Sequence, residues 1–159
     1  MIKLLKVFSA TSLFLFATSV FAADPLSSTL DVFVVDDKGE KGALLEKDSV
    51  EPGQVLEYQL TYTNNTEKPL QITAATGLIP ENTAYVTGSA EGQVVAEFLV
   101  SIDKGTNYES EPVKRTRTVG GKTETYIVPV SEYTNVRWVK PEPIEAGKSQ
   151  IYQYRVKVN

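Results

Sequence analysis

Cysteine and histidine are both missing from this chain, and the double absence removes more chemistry than any motif in it supplies. Zinc and copper centres, haem, and nucleophile systems built on Cys-His or Ser-His-Asp all need a thiolate or an imidazole as ligand or base. Disulfides and the lipid-attachment cysteine of a bacterial lipoprotein go with them, so stability has to come from a packed core. A surplus of positive charge is missing too, since 16 Lys and Arg stand against 20 Asp and Glu. Nucleic-acid binding depends on cations that displace counterions from phosphates, so this balance argues against it.

Long apolar runs are confined to the first residues. Lys3 and Lys6 precede an apolar stretch dotted with Ser and Thr at 7–21, and Val20-Phe21-Ala22 satisfies the small-residue cleavage rule. This predicts a cleavable signal peptide at 1–22 and export to the periplasm, the cell surface or beyond. The run is shorter than the roughly 20 residues that span a bilayer, and no second one follows, so the mature chain is expected to have no membrane span. Cleavage would leave residues 23–159, in which 14 Lys and Arg face 20 Asp and Glu for a net charge of −6. That is one domain, long enough to bury roughly two-thirds of its unfolded surface.

What is present is strand patterning. Pro52-Gly53 launches a segment in which Leu56, Tyr58, Leu60 and Tyr62 alternate with Glu57, Gln59 and Thr61, ending in a polar Asn64-Asn65-Thr66 corner. That period of two marks a half-buried antiparallel strand with Glu57 on its outer face. Near the end, Tyr152, Tyr154, Val156 and Val158 alternate with Gln153, Arg155 and Lys157, giving a second apolar face expected to meet the first across a core. Strands are expected at 30–35, 43–47 (weak), 55–63, 70–74, 84–87 (short), 94–102, 113–119, 123–130, 135–139 and 150–158, separated by turn residues. Gly120-Gly121-Lys122 reads as a hairpin turn, because glycine permits positive φ. The fold predicted is an all-β, immunoglobulin-like antiparallel sandwich of eight or nine strands.

The segments Val50-Glu51-Pro52-Gly53, Leu56-x-Tyr58-x-Leu60 and Asn64-Asn65-Thr66, then Ile79-Pro80-Glu81-Asn82 leading to Tyr85-Val86-Thr87-Gly88-Ser89, then Ile144-Glu145-Ala146-Gly147-Lys148-Ser149 before the last strand, resemble the bacterial surface-repeat domain of unknown function number eleven. The resemblance covers about residues 48–158 in the family's order. The usual Asp before the Leu-Pro loop is replaced by the Ala75-Thr76-Gly77 region, and one copy is present. It implies an immunoglobulin-like sandwich on exported or cell-surface proteins, with no catalytic residues to transfer.

Several constellations suggest chemistry, and each has a plainer structural reading. Ser101-Ile102-Asp103-Lys104-Gly105-Thr106-Asn107-Tyr108 is similar to the Asp-box hairpin, in which the carboxylate caps turn amides and the aromatic packs beneath. One copy cannot build a sialidase propeller, so a structural turn is expected. Asp36, Asp37 and Glu40 around Lys38-Gly39 offer oxygens to Ca²⁺, although a solvated Asp-capped turn fits the spacing better. Lys114-Arg115-Thr116-Arg117 is the one basic run; it could meet an anionic glycan or headgroups, but charges on an exposed strand also block edge aggregation. Trp138, with Tyr126 and Tyr133, could offer a sugar-stacking platform, although Val136 on the same face argues for core. The Asn64-Asn65-Thr66 acceptor pattern reads as a turn cap. Glu109/Glu111 and Glu142/Glu145 lie in loops with nothing to separate acid from base.

The expectation is therefore an exported, non-catalytic envelope module with no cofactor, no metal and no assigned site residues. It would contact an envelope protein through sheet edges and loops, the first strand or the 113–130 hairpin being the edges best placed for strand addition. The alternative is a carbohydrate-binding module with an aromatic surface around Trp138 and a surface glycan as partner.

Overall fold

The computed structural model describes residues 24–45 and 48–159. The expected leader and the Glu46-Lys47 end of the weak second strand lie outside the described residues. Among the described residues the chain forms β1 (Leu26–Val35), β2 (Lys41–Ala43), β3 (Val55–Asn64), β4 (Ala74–Leu78), β5 (Thr83–Tyr85), β6 (Glu91–Gly92), β7 (Glu97–Ser101), β8 (Lys114–Val119), β9 (Lys122–Ile127), β10 (Asn135–Val139) and β11 (Ser149–Val158), with one 3-10 turn at Val130–Glu132. No α-helix occurs among them, and none is long and apolar enough to cross a membrane.

Every strand pair is antiparallel. The larger sheet runs β2-β1-β3-β11-β5 with β6 also on β11, the smaller runs β4-β10-β7, and β8-β9 form a hairpin of their own. The two sheets stack face to face. Trp138 of β10 lies 5.3 Å from the ring of Tyr152 and 6.2 Å from that of Tyr154, both on β11. The Tyr154 hydroxyl crosses the interior and donates to the carbonyl of Leu78 at 2.6 Å. Leu56, Tyr85, Val100, Val136 and Val156 complete the buried cluster.

The alternating runs form strands where the sequence predicts them, but β3 and β11 are neighbours in one sheet rather than opposing layers. Tyr154 pairs with Tyr58 and Tyr152 with Leu60, so the tyrosine faces lie side by side and jointly cover β4 and β10. The Tyr58 and Tyr154 rings stack at 5.4 Å. Alternation fixes which face of a strand is apolar and leaves its neighbour open.

Other boundaries shift for local reasons. β1 begins at Leu26 because Leu26 to Thr29 continue the ladder with Asn64 to Thr61. The expected strand at 70–74 is only a bridge between Leu70 and Ile144, and the regular strand is β4, which contains Gly77. A Cβ on Gly77 would sit 2.4 Å from the Tyr154 ring, so this glycine marks close packing between sheets rather than a loop. The 94–102 strand shortens to β7, and β6 is too short to carry a periodic signal. The extra short strands raise the total to eleven.

Candidate functional site

Between β7 and β10 the chain makes a long excursion, and its middle is the hairpin β8-β9. Its turn is the two-residue Gly120-Gly121, with φ of 58° and 79°; positive φ at both central residues matches the twist of the flanking strands. The base is fixed in the core. Val113 and Val128 are 1% exposed, Tyr133 is buried, and the Val128 amide donates to the Val113 carbonyl at 2.9 Å. The Tyr133 ring stacks on Tyr85 of β5 at 6.1 Å. Beyond that base almost every residue of both arms is exposed.

The register Lys114↔Ile127 to Val119↔Lys122 sorts the side chains. One face carries Lys114, Thr116, Thr118, Thr123, Thr125 and Ile127. The other carries Arg115, Arg117, Val119, Lys122, Glu124 and Tyr126. Arg115 grips Glu109 with two bonds of 2.9 and 2.5 Å. Arg117 bonds Glu124 at 2.5 Å and lies 5.3 Å from the centroid of the Tyr126 ring. Since 113 and 128 form a hydrogen-bonded pair, bonded pairs recur at every second position, so the N–H and C=O groups of Lys114, Thr116 and Thr118 point off one edge and those of Thr123, Thr125 and Ile127 off the other.

The remaining sequence-marked groups are held by their surroundings. In the 101–108 loop, Asp103 takes the Ser101 hydroxyl at 2.8 Å, the Asn107 amide at 2.9 Å and the Asn107 side chain at 2.7 Å. These donors, the backbone amide of Asn107 first, pull its carboxyl pKa down to about 2. The Arg137 guanidinium covers the Tyr108 ring at 3.6 Å. Asp36 uses one oxygen to accept the amides of Lys38 and Glu40 at 2.9 and 2.8 Å, which is the capped turn. No group of three His, Cys, Asp or Glu gathers for a metal ion among the described residues. Asn64 is fully buried; its amide donates to the carbonyls of Lys68, Ile144 and Glu145, and its oxygen accepts from Thr66.

Trp138 is 3% exposed and packs against Phe98, Tyr152 and Tyr154. No face of the indole is open to a sugar ring. Tyr133 is likewise core, leaving Tyr126 on the hairpin under Arg117.

The carboxylates separate in a way the sequence does not announce. Arg115 holds the Glu109 carboxyl below its usual range, whereas burial raises that of Glu111. Neither lines the cleft of about 430 Å³ bounded by Glu142, Glu145, Lys148 and Gln150, which holds the other pair. Both of that pair are exposed, and the buried Gln150 beside them is committed, donating to the carbonyls of Glu142 and Pro143 and accepting the Tyr152 hydroxyl.

Glu57 is the residue that pattern reading misplaces. Its position faces outward on β3, yet it is 1% exposed. Lys41 of β2 pairs with one of its oxygens and the Arg155 Nε donates to the other at 2.9 Å, so one carboxylate ties together three strands across β1. A hint lies in the register: Phe33 of β1 and Arg155 of β11 flank Glu57 on either side, and side chains that long can close over a central strand.

Comparison with protein-family models, with curated proteins and with solved structures finds no match for this chain. The surface-repeat resemblance stands on the quoted residues alone.

Proposed function

We propose that this chain is an exported, non-catalytic β-sandwich module of the bacterial cell envelope that acts by contacting another protein, and that the hairpin β8-β9 is its contact element. The observation that carries the reading is the contrast within the hairpin, whose base is locked into the core while both arms leave faces and edges uncovered. Exposed strand edges are templates for an added strand. The 114–127 segment is also the basic part of an acidic chain, with four Lys or Arg and one Glu, and three of those cations lie on β8, which favours an acidic protein surface along the β8 edge. Envelope location draws on the signal-like leader and the surface-repeat resemblance. The burial of Trp138 leaves the carbohydrate-binding alternative without its platform.

The test is site-specific photocrosslinking in intact cells, with the crosslinker at Thr118 or Thr123 on the hairpin and at Thr87, an exposed turn residue of the sandwich, as reference. A discrete adduct with an envelope protein at the hairpin positions, weaker at Thr87, is the expected result. Equal labelling at all three, or adducts only with cytoplasmic proteins, would overturn the reading.

A further inference from the structure

The two edges of the hairpin are chemically unlike. β8 carries Lys114, Arg115 and Arg117, the cationic fencing that keeps sheet edges from pairing. β9 carries one Lys and one Glu, so its charges cancel, and the rest is Thr123, Thr125, Tyr126 and Ile127, residue types that favour strands. Ile127 is 61% exposed. Among the described residues no strand other than β8 pairs with β9. A lone two-stranded ribbon is marginal, whereas three or more strands sharing a face are stable.

We infer that the free edge of β9 is completed by β9 of a second copy of this chain, antiparallel about a two-fold axis through Thr125. This rests on the reading of the hairpin as a contact element and names its partner. In this register Thr125 faces its own counterpart and Thr123 faces Ile127 of the second copy. Every outward-pointing backbone group of the edge then meets another, and each pair exchanges two N–H···O bonds. On the opposite face Glu124 stands across from Tyr126 of the second copy, so no like charges are directly opposed.

The neighbouring registers are worse. A slip toward the tip sets Glu124 against Glu124. A slip toward the base sets Thr123 against Pro129, which has no N–H to donate. A two-fold contact needs such a self-complementary patch, and the product is a four-stranded sheet β8-β9-β9-β8. One strand edge is well below the roughly 1,200 Å² of a standard interface, so the dimer dissociates on dilution.

The chain's lack of cysteine makes the test clean. Thr125→Cys and Thr116→Cys place a single thiol on either edge, with N–H groups that point away from the β8-β9 ladder, so the hairpin pairing survives both. Under oxidation at high protein concentration, as a small interface requires, Thr125→Cys is expected to form a disulfide-linked dimer and Thr116→Cys to stay monomeric. Sedimentation equilibrium of the unsubstituted chain is expected to show monomer and dimer, shifted to monomer by Thr125→Lys, which sets two ammonium groups on the axis, with an unchanged circular dichroism spectrum.

A chain monomeric throughout, or Thr116→Cys linking faster than Thr125→Cys, would overturn the inference. A monomeric chain whose hairpin still crosslinks to an envelope protein in cells would sink the second-copy assignment and leave the functional reading standing. Loss of both results would end both.

Discussion

The sandwich and the hairpin are built from the same antiparallel ladder, and they differ in what covers it. In the sandwich each sheet lends its apolar face to the other, so Tyr152, Tyr154, Val136 and Trp138 are all buried. In the hairpin the ladder is complete from 114↔127 to 119↔122, yet beyond the pair Arg115 and Tyr126, which touch Glu109 and the margin of the core, the arms meet no second layer, and Val119 and Ile127 are more than half exposed. Pairing alone therefore does not make a stable unit here. The hairpin keeps its place because Val113, Val128 and Tyr133 root it in the shared core, while its arms stay largely uncovered.

Substitutions in the two regions test that contrast. Trp138→Ala removes the ring that joins the two layers and is expected to destabilise the chain by about 3–5 kcal/mol, whereas Thr118→Ala on the hairpin arm should change stability by less than about 0.5 kcal/mol. Denaturant unfolding followed by far-UV circular dichroism measures both, and similar values at the two sites would mean the arms are covered after all. Arg155→Met leaves one oxygen of the buried Glu57 unpaired while Lys41 keeps the other. An unmet charged hydrogen bond of this kind costs about 1–3 kcal/mol, and a Glu57→Gln partner substitution should recover part of it in a double-mutant cycle.

The smallest effect sets the boundary of the core at high pH. Burial pushes the phenol pKa values of Tyr85 and Tyr152 up to about 12 and that of Tyr154 higher still. Folded pKa values above unfolded ones mean that the stabilisation is whole below about pH 10, the ordinary tyrosine range, and is lost as pH rises toward 12. Absorbance titration near 295 nm should show exposed tyrosines ionising first, with these three following only as the sandwich opens. A single ordinary transition for all eight tyrosines would place those rings in water.

Strand identity was legible wherever alternation ran long. β3, β10 and β11 follow from spacing, and the hairpin turn follows from two adjacent glycines. The layer partners were not legible, because the period of two assigns a face without a neighbour, and so β3 and β11 emerge side by side. β4 was masked by Gly77, which resembles a loop residue until the Tyr154 ring is placed against it. Alternation alone puts Glu57 on the solvent face, because its cover comes from residues far away in sequence. At the candidate site, the Gly120-Gly121 turn marks the hairpin that the sequence offers as one of two edges, beside the first strand, while the difference between the two hairpin edges needs the register.

Native-state hydrogen exchange at low protein concentration, where the chain is monomeric, tests the central claim most directly. The hydrogen-bonded amides of Arg117, Val119, Lys122 and Glu124 should exchange through local opening, orders of magnitude faster than those of Val136 and Tyr154, which should exchange only near global unfolding. Equal protection of the arms and the sandwich under those conditions would contradict the account of a rooted hairpin with uncovered arms.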